Sequence, residues 1–146
     1  MLALNHAASA TVIALSITNP ILAVPLAFVS HFALDALPHY SAREHFGLGT
    51  GKYYLPIIAD IVATVTFTIM AMRFWPGHGG LILACIVAAT APDYIWPLNL
   101  TPFGKKYLSG FFAFHLGIQR YESARGIYIE AGWFAATVVL LSRLPR

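Results

Sequence analysis

Long apolar runs alternate with short polar breaks along this chain. Crossing a bilayer takes about 20 mostly apolar residues, and five segments approach that length: roughly Leu2–Thr18, Ile21–Leu37, Tyr54–Met72, Leu81–Leu98 and Ile127–Leu144. Asn19-Pro20 makes the first turn. A polar, glycine-rich loop from His39 to Lys52, with Gly47, Gly49 and Gly51, follows the second segment, and Arg73 to Gly80 forms a short turn after the third. The stretch Asn99–Gly126 contains only a brief apolar core, Phe111 to Phe114, which is too short to span and predicts an interfacial or re-entrant helix. The pattern therefore predicts an all-α fold, a polytopic membrane helix bundle of about five transmembrane helices plus one such short helix. The whole chain, residues 1–146, reads as one integral membrane domain. Asn5 and His6 interrupt the first apolar segment, and no basic stretch precedes it, so it reads as a retained helix rather than a cleaved leader.

Composition supports the membrane assignment. Hydrophobic residues make up 58% and charged residues 10%, against about 25% charged in ordinary soluble domains. A net charge of +3, dispersed over the loops, is no nucleic-acid footprint. The single Cys85, in an apolar run, supports neither a disulfide framework nor a cysteine metal cage. With five spans, Arg43, Lys52, Lys105, Lys106, Arg120 and Arg125 fall on one side and Arg73, Arg143 and Arg146 on the other. That asymmetry predicts a cytoplasmic N-terminus in a bacterial or archaeal inner (plasma) membrane.

Against this background the ionisable residues stand out. His31 and Asp35 lie four apart, so a helix presents both on one face, and Pro38 ends that helix with His39 just beyond. His6, His31, Asp35, Asp60, Asp93 and Glu130 all map to the same half of the membrane in an alternating bundle. Each costs at least a few kcal/mol if left in lipid, so convergence on one inward-facing cluster is the cheapest arrangement. A mixed His and carboxylate set suits Zn²⁺, Mn²⁺ or Fe²⁺ better than Cu⁺ or Ca²⁺. The predicted metal ligands are His6, His31, Asp35, His39, Asp60 and His115, holding one or two divalent ions, zinc first among them. Asp93 and Glu130 are the candidates for a general base or a further ligand. Plain structural roles compete: Asp60 bonded to a neighbouring helix, Asp93 capping a helix after Pro92, Glu130 paired with Arg125. His115 and Gln119 repeat the four-residue spacing, and a short helix there would aim both at one neighbour, as a lid over the cluster.

The Ser30-His31-x-x-x-Asp35 run, the early Asn5-His6, Ala91-Pro92-Asp93 and the later His115 resemble the bacterial inner-membrane family of membrane-bound metal-dependent hydrolases. More distantly they resemble the zinc-dependent phospholipase C and nuclease superfamily. The resemblance implies metal ligands at His31, Asp35 and His39, beside Pro38. The superfamily's later His-x-x-x-Glu pair falls on His115 and Gln119, where glutamine departs from the pattern. The His-Arg-Gly and Thr-His-Ser signatures of the membrane family are missing.

Three functions compete on the sequence. The first is a metal-dependent hydrolase of a phosphoester or phospholipid, in contact with the lipid bilayer, with Lys105, Lys106 and Arg43 at the rim attracting an anionic headgroup. The second is an ion- or proton-coupled transporter, which a one-leaflet cluster disfavours. The third is a non-catalytic scaffold, which needs two partnered polar groups rather than six.

Overall fold

The computed structural model describes residues 1–47 and 51–145. Gly49 of the first long loop and Arg146 of the smaller basic set lie outside the described residues. The elements are α1 (Ala3–Ser16), α2 (Pro20–Asp35), β1 (His39–Tyr40), α3 (Ala42–Phe46), α4 (Gly51–Phe74), α5 (Gly79–Tyr94), α6 (Pro102–Tyr107), α7 (Ser109–Ile118), β2 (Glu122–Ser123) and α8 (Ile127–Arg143). Short 3₁₀ turns at Pro76–His78, Trp96–Leu100 and Ala124–Gly126 join them. The five predicted segments correspond to α1, α2, α4, α5 and α8. Pro76–Leu100, Gly51–Phe74 and Ala124–Arg143 are long and apolar enough to cross a membrane, whereas α1 and α2, at 14 and 16 residues, are shorter.

Local chemistry explains the helix ends. The Asn19 side chain accepts from the Ile21 amide at 3.0 Å and Pro20 takes the first helical position, so α2 starts there. It ends at Asp35, because the residue before Pro38 resists the helical region. Thr101 caps α6 by accepting from the Gly104 amide. The predicted lone interfacial helix is two pieces, α6 and α7, broken at Leu108.

The first helix is the centre of the bundle. It packs against α2, α4, α5 and α8, and its Ala7, Ala8, Ala10 and Ala14 are fully buried. Such small side chains let backbones approach closely where hydrophobic burial supplies little drive between helices. Large apolar residues instead cover the outside: Ile21, Leu22 and Val29 on α2, Ile58, Val62 and Ile69 on α4, and Val139 and Leu140 on α8 are all more than half exposed. A water-soluble monomer does not carry apolar surface on that scale, so these faces belong against lipid.

Alternation of the helices is visible in two contacts. Asp60, early in α4, bonds the start of α1, while Trp75, just past the end of α4, donates to the Pro145 carbonyl beyond α8. At the polar end β1 and β2 pair in parallel, His39 opposite Glu122. Gly126 allows this: a Cβ there would lie 2.0 Å from the His39 carbonyl carbon, so only glycine lets β1 run so close.

Candidate metal centre

Three elements bring one side chain each, or two, to a single point. His31 and Asp35 project from the last two turns of α2, and both are fully buried. His115 enters from the last turn of α7 and Asp93 from the last turn of α5. His31 Nε2 lies 3.1 Å from Asp35 Oδ2, His115 Nε2 lies 3.0 Å from the same oxygen, and the two Nε2 atoms are 3.0 Å apart. Each Nε2 is 3.7 Å from Asp93 Oδ1. One donor atom from each of the four residues falls within 4.8 Å of all the others.

The surrounding bonds orient these groups. His31 Nδ1 lies 2.8 Å from the Ala89 carbonyl, which can only accept, so Nδ1 carries a proton and Nε2 is turned to the cluster. His6 from α1 stacks on His31, with ring centroids 4.2 Å apart, and its Nε2 reaches Asp35 Oδ1 at 3.1 Å. Gln119, capping α7, donates to Asp35 Oδ2 at 2.9 Å. The Met1 amino group also bonds Asp35 Oδ1. Around His115 the rings of Phe32, Phe111 and Trp96 form an apolar collar.

This donor set fits a divalent ion of the zinc type. Two imidazole nitrogens and two carboxylate oxygens about 2.0–2.1 Å from a tetrahedral zinc would stand roughly 3.3 Å apart; the separations that involve an imidazole, 3.0, 3.0, 3.1, 3.7 and 3.7 Å, bracket that spacing, and the whole set lies within 4.8 Å. A ring N–H given to a backbone carbonyl, as at His31, is the usual outer support of a metal-bound histidine. The Nδ1 atoms of His6 and His115 are buried with no partner among the described residues.

The other predicted site residues lie at the same end of the bundle but outside this group. His39 gives its Nδ1 proton to the Leu37 carbonyl at 2.8 Å and turns Nε2 toward Glu122, 3.8 Å away, because β1 carries it to β2 rather than back over α2. Asp60 accepts from the Ala3 and Leu4 amides at 2.8 and 3.1 Å, satisfying the open N-terminus of α1. Glu130 is buried and accepts from the Leu2 and Tyr40 amides and from Asn5 Nδ2, so its oxygens hold three segments together, and Arg125 is not among those partners. Asp93 lies inside α5 rather than at a helix start, so it does not cap one. Neither the Ala89 carbonyl contact nor the β1–β2 pairing had a signal in the sequence.

Glu122 sits outside the spanning segments. Its burial favours the neutral form, but the neighbouring His39 and Ser41 and the Arg43 charge favour the anion and outweigh that, and its pKa lies below the ordinary glutamate value.

A cleft of about 770 Å³ opens beside the cluster, with Asp93, His115, Gln119, Tyr40 and Arg43 among the residues that line it. Asp93 is the one member of the group with appreciable side-chain exposure, 31%.

The chain is 31% identical over 94 residues to YczE, an uncharacterized membrane protein of Bacillus subtilis (strain 168). That stretch is 64% of this chain and 41% of YczE, so the chain spans less than half of the relative's length. No family model and no solved structure matches. The apolar helices and this similarity together define an all-α membrane helical protein.

Proposed function

We propose that the protein is a membrane-embedded, metal-dependent hydrolase of a phosphoester. The supporting observation is the convergence of His31, Asp35, His115 and Asp93 beside an open cleft, with His31 already oriented by the Ala89 carbonyl. His31, Asp35 and His115 would hold a zinc-type ion. When bound, the ion supplies Lewis acidity toward a phosphoryl oxygen and lowers the pKa of water at the site.

The remaining work falls to the chain's own groups. Asp93 faces the cleft and can accept a proton from a water poised there. Gln119 holds Asp35 Oδ2 from the α7 side, and the collar of Phe32, Phe111 and Trp96 keeps bulk water off His115. In this reading α1, α2, α4, α5 and α8 all span the plasma membrane, the N-terminus is cytoplasmic and the cleft opens on the cytoplasmic side, as the basic asymmetry indicates.

The test is metal content and phosphodiester hydrolysis of the purified chain, alongside His31→Ala and His115→Ala. Zinc bound near one per chain, lost in both variants together with hydrolysis, is the expected result. A folded chain that takes up no zinc overturns the metal centre. A zinc-loaded chain without hydrolysis that moves an ion across vesicles converts it to a transporter.

A further inference from the structure

We propose that α6 anchors on an anionic leaflet and that this contact holds α7 in place, so that the metal centre binds its ion more tightly as the leaflet's negative charge rises. This rests on the metal-centre reading above and gives that site a form of regulation. The contact is with the membrane surface, away from the cleft: Phe103, Lys105, Lys106 and Tyr107 do not line it.

The outward surface of α6 suits the boundary between headgroups and acyl chains. Leu100, just before the helix, and its Phe103 and Tyr107 are 79%, 57% and 62% exposed. Phe103 and Tyr107 lie one turn apart, with ring centroids 5.1 Å from each other, and Lys106 Nζ stands 4.9 Å from the centre of the Tyr107 ring. Lys105 and Lys106 are exposed, and neither has a carboxylate within ion-pair distance among the described residues. Water leaves the rings bare, and a neutral leaflet leaves the lysines without a counter-charge. An anionic leaflet meets both needs.

Charge complementarity extends over the whole segment. Residues 99–121 contain Lys105, Lys106 and Arg120 and no Asp or Glu. The acids of the chain are engaged elsewhere. Asp35, Asp60, Asp93 and Glu130 have partners inside the bundle, among them the Met1 amino group on Asp35. Glu44 and Glu122 lie beside Arg43, at 3.6 and 3.5 Å.

Packing links this surface to the metal centre. Gly104 is buried against the turn Trp96–Leu100: a Cβ there would lie 1.9 Å from the Leu98 carbonyl oxygen, so α6 sits directly on that turn. The same turn carries Trp96, the edge-on partner of Phe112 in α7. The last turn and cap of α7 bring His115 and Gln119 to Asp35. Anchoring α6 therefore restrains the turn on which α7 docks, and α7 supplies one of the two imidazoles of the centre.

The experiment places the full chain in nanodiscs of phosphatidylcholine, alone or mixed with phosphatidylglycerol. Hydrogen–deuterium exchange of residues 102–118 is read without metal, and zinc affinity is then measured by competition with a chelating dye. With a lysine near an anionic surface contributing about 1 kcal/mol, phosphatidylglycerol should slow exchange in α6 and α7, and tighten zinc binding, by about 5- to 30-fold for one to two lysines. Zinc gathers at any anionic surface, so variants carry the decision. Lys105→Gln with Lys106→Gln should lose both effects. Arg73→Gln with Arg143→Gln, the same loss of charge at the opposite end of the bundle, should keep both. Circular dichroism melts confirm that the variants are folded. Exchange or zinc affinity indifferent to phosphatidylglycerol, or a full response in the lysine variant, overturns the proposal. So does protection of α6 that rises with the number of chains per disc in phosphatidylcholine alone, because a second copy then covers the surface. A chain that takes up no zinc but shows the lysine-dependent slowing keeps the anchor and fails the metal-centre reading. A zinc-binding chain that ignores lipid charge fails only this proposal.

Discussion

Asp35 is the residue on which three helices and the N-terminal segment close. One oxygen receives His6 and the Met1 amino group; the other receives His31, His115 and Gln119. A buried carboxylate with so many donors is well compensated as an anion, yet three of those donors are imidazole nitrogens, and those of His31 and His115 could equally face a cation. Asp35→Asn separates the alternatives. The amide keeps the shape and can still bond its neighbours, but loses the charged ligand oxygen, so zinc affinity should fall about 10–100-fold or more while the helical melt changes little. Zinc per chain and the melt are measured on the same sample; loss of folding with zinc unchanged would make Asp35 a structural staple. Removing the partner instead, His31→Ala, should cost about 3–5 kcal/mol, because Asp35 keeps its charge and loses a donor.

At the scale of elements, α7 determines whether the cluster is complete. His115 and Gln119 reach Asp35 only because α7 docks, and its anchor is Phe112, 2% exposed and edge-on to Trp96 at 5.2 Å. Phe112→Ala should cost about 3–5 kcal/mol of that docking. The expected outcome is faster amide exchange confined to α7 and weaker zinc binding, with α1, α2 and α5 unchanged; exchange rising everywhere would show that α7 is part of the global fold instead. The β1–β2 pair carries a pH dependence. Glu122 has a folded pKa below its unfolded one, so its contribution is present above the ordinary glutamate pKa and fades as pH falls through the depressed value. Amide exchange at Ser41, whose N–H bonds the Ser123 carbonyl at 3.2 Å, should therefore accelerate in that acid window in the native chain. Glu122→Gln should remove the pH step.

For the whole molecule, the testable quantity is orientation. His78 lies in the turn after α4, at the end of the bundle opposite Asp35. In a Cys85→Ala background, His78→Cys should react with an impermeant maleimide added outside the cell and His45→Cys should not. The reverse pattern would invert the topology.

The sequence by itself determined the helical membrane class, the positions of all five long helices to within a few residues, and the end of the bundle at which His6, His31, Asp35, Asp60, Asp93 and Glu130 gather. Those features follow from local rules: apolar run length sets the helices, and alternation places residues near the starts of the first, third and fifth apolar segments beside those near the ends of the second and fourth. The His31–Asp35 pair was legible because its spacing is intrahelical. Only the tertiary structure decided which of the gathered groups face one another. Asp60 and Glu130 are drawn off by the open amides of α1 and β1, a demand set by how helix ends pack rather than by any spacing along the chain. His39 is drawn away by a strand pairing across more than eighty residues, and Asp93 is turned inward by the last turn of α5. Which carboxylates cap backbone and which remain as donors is a competition among partners, and the chain supplies those partners only once it is folded.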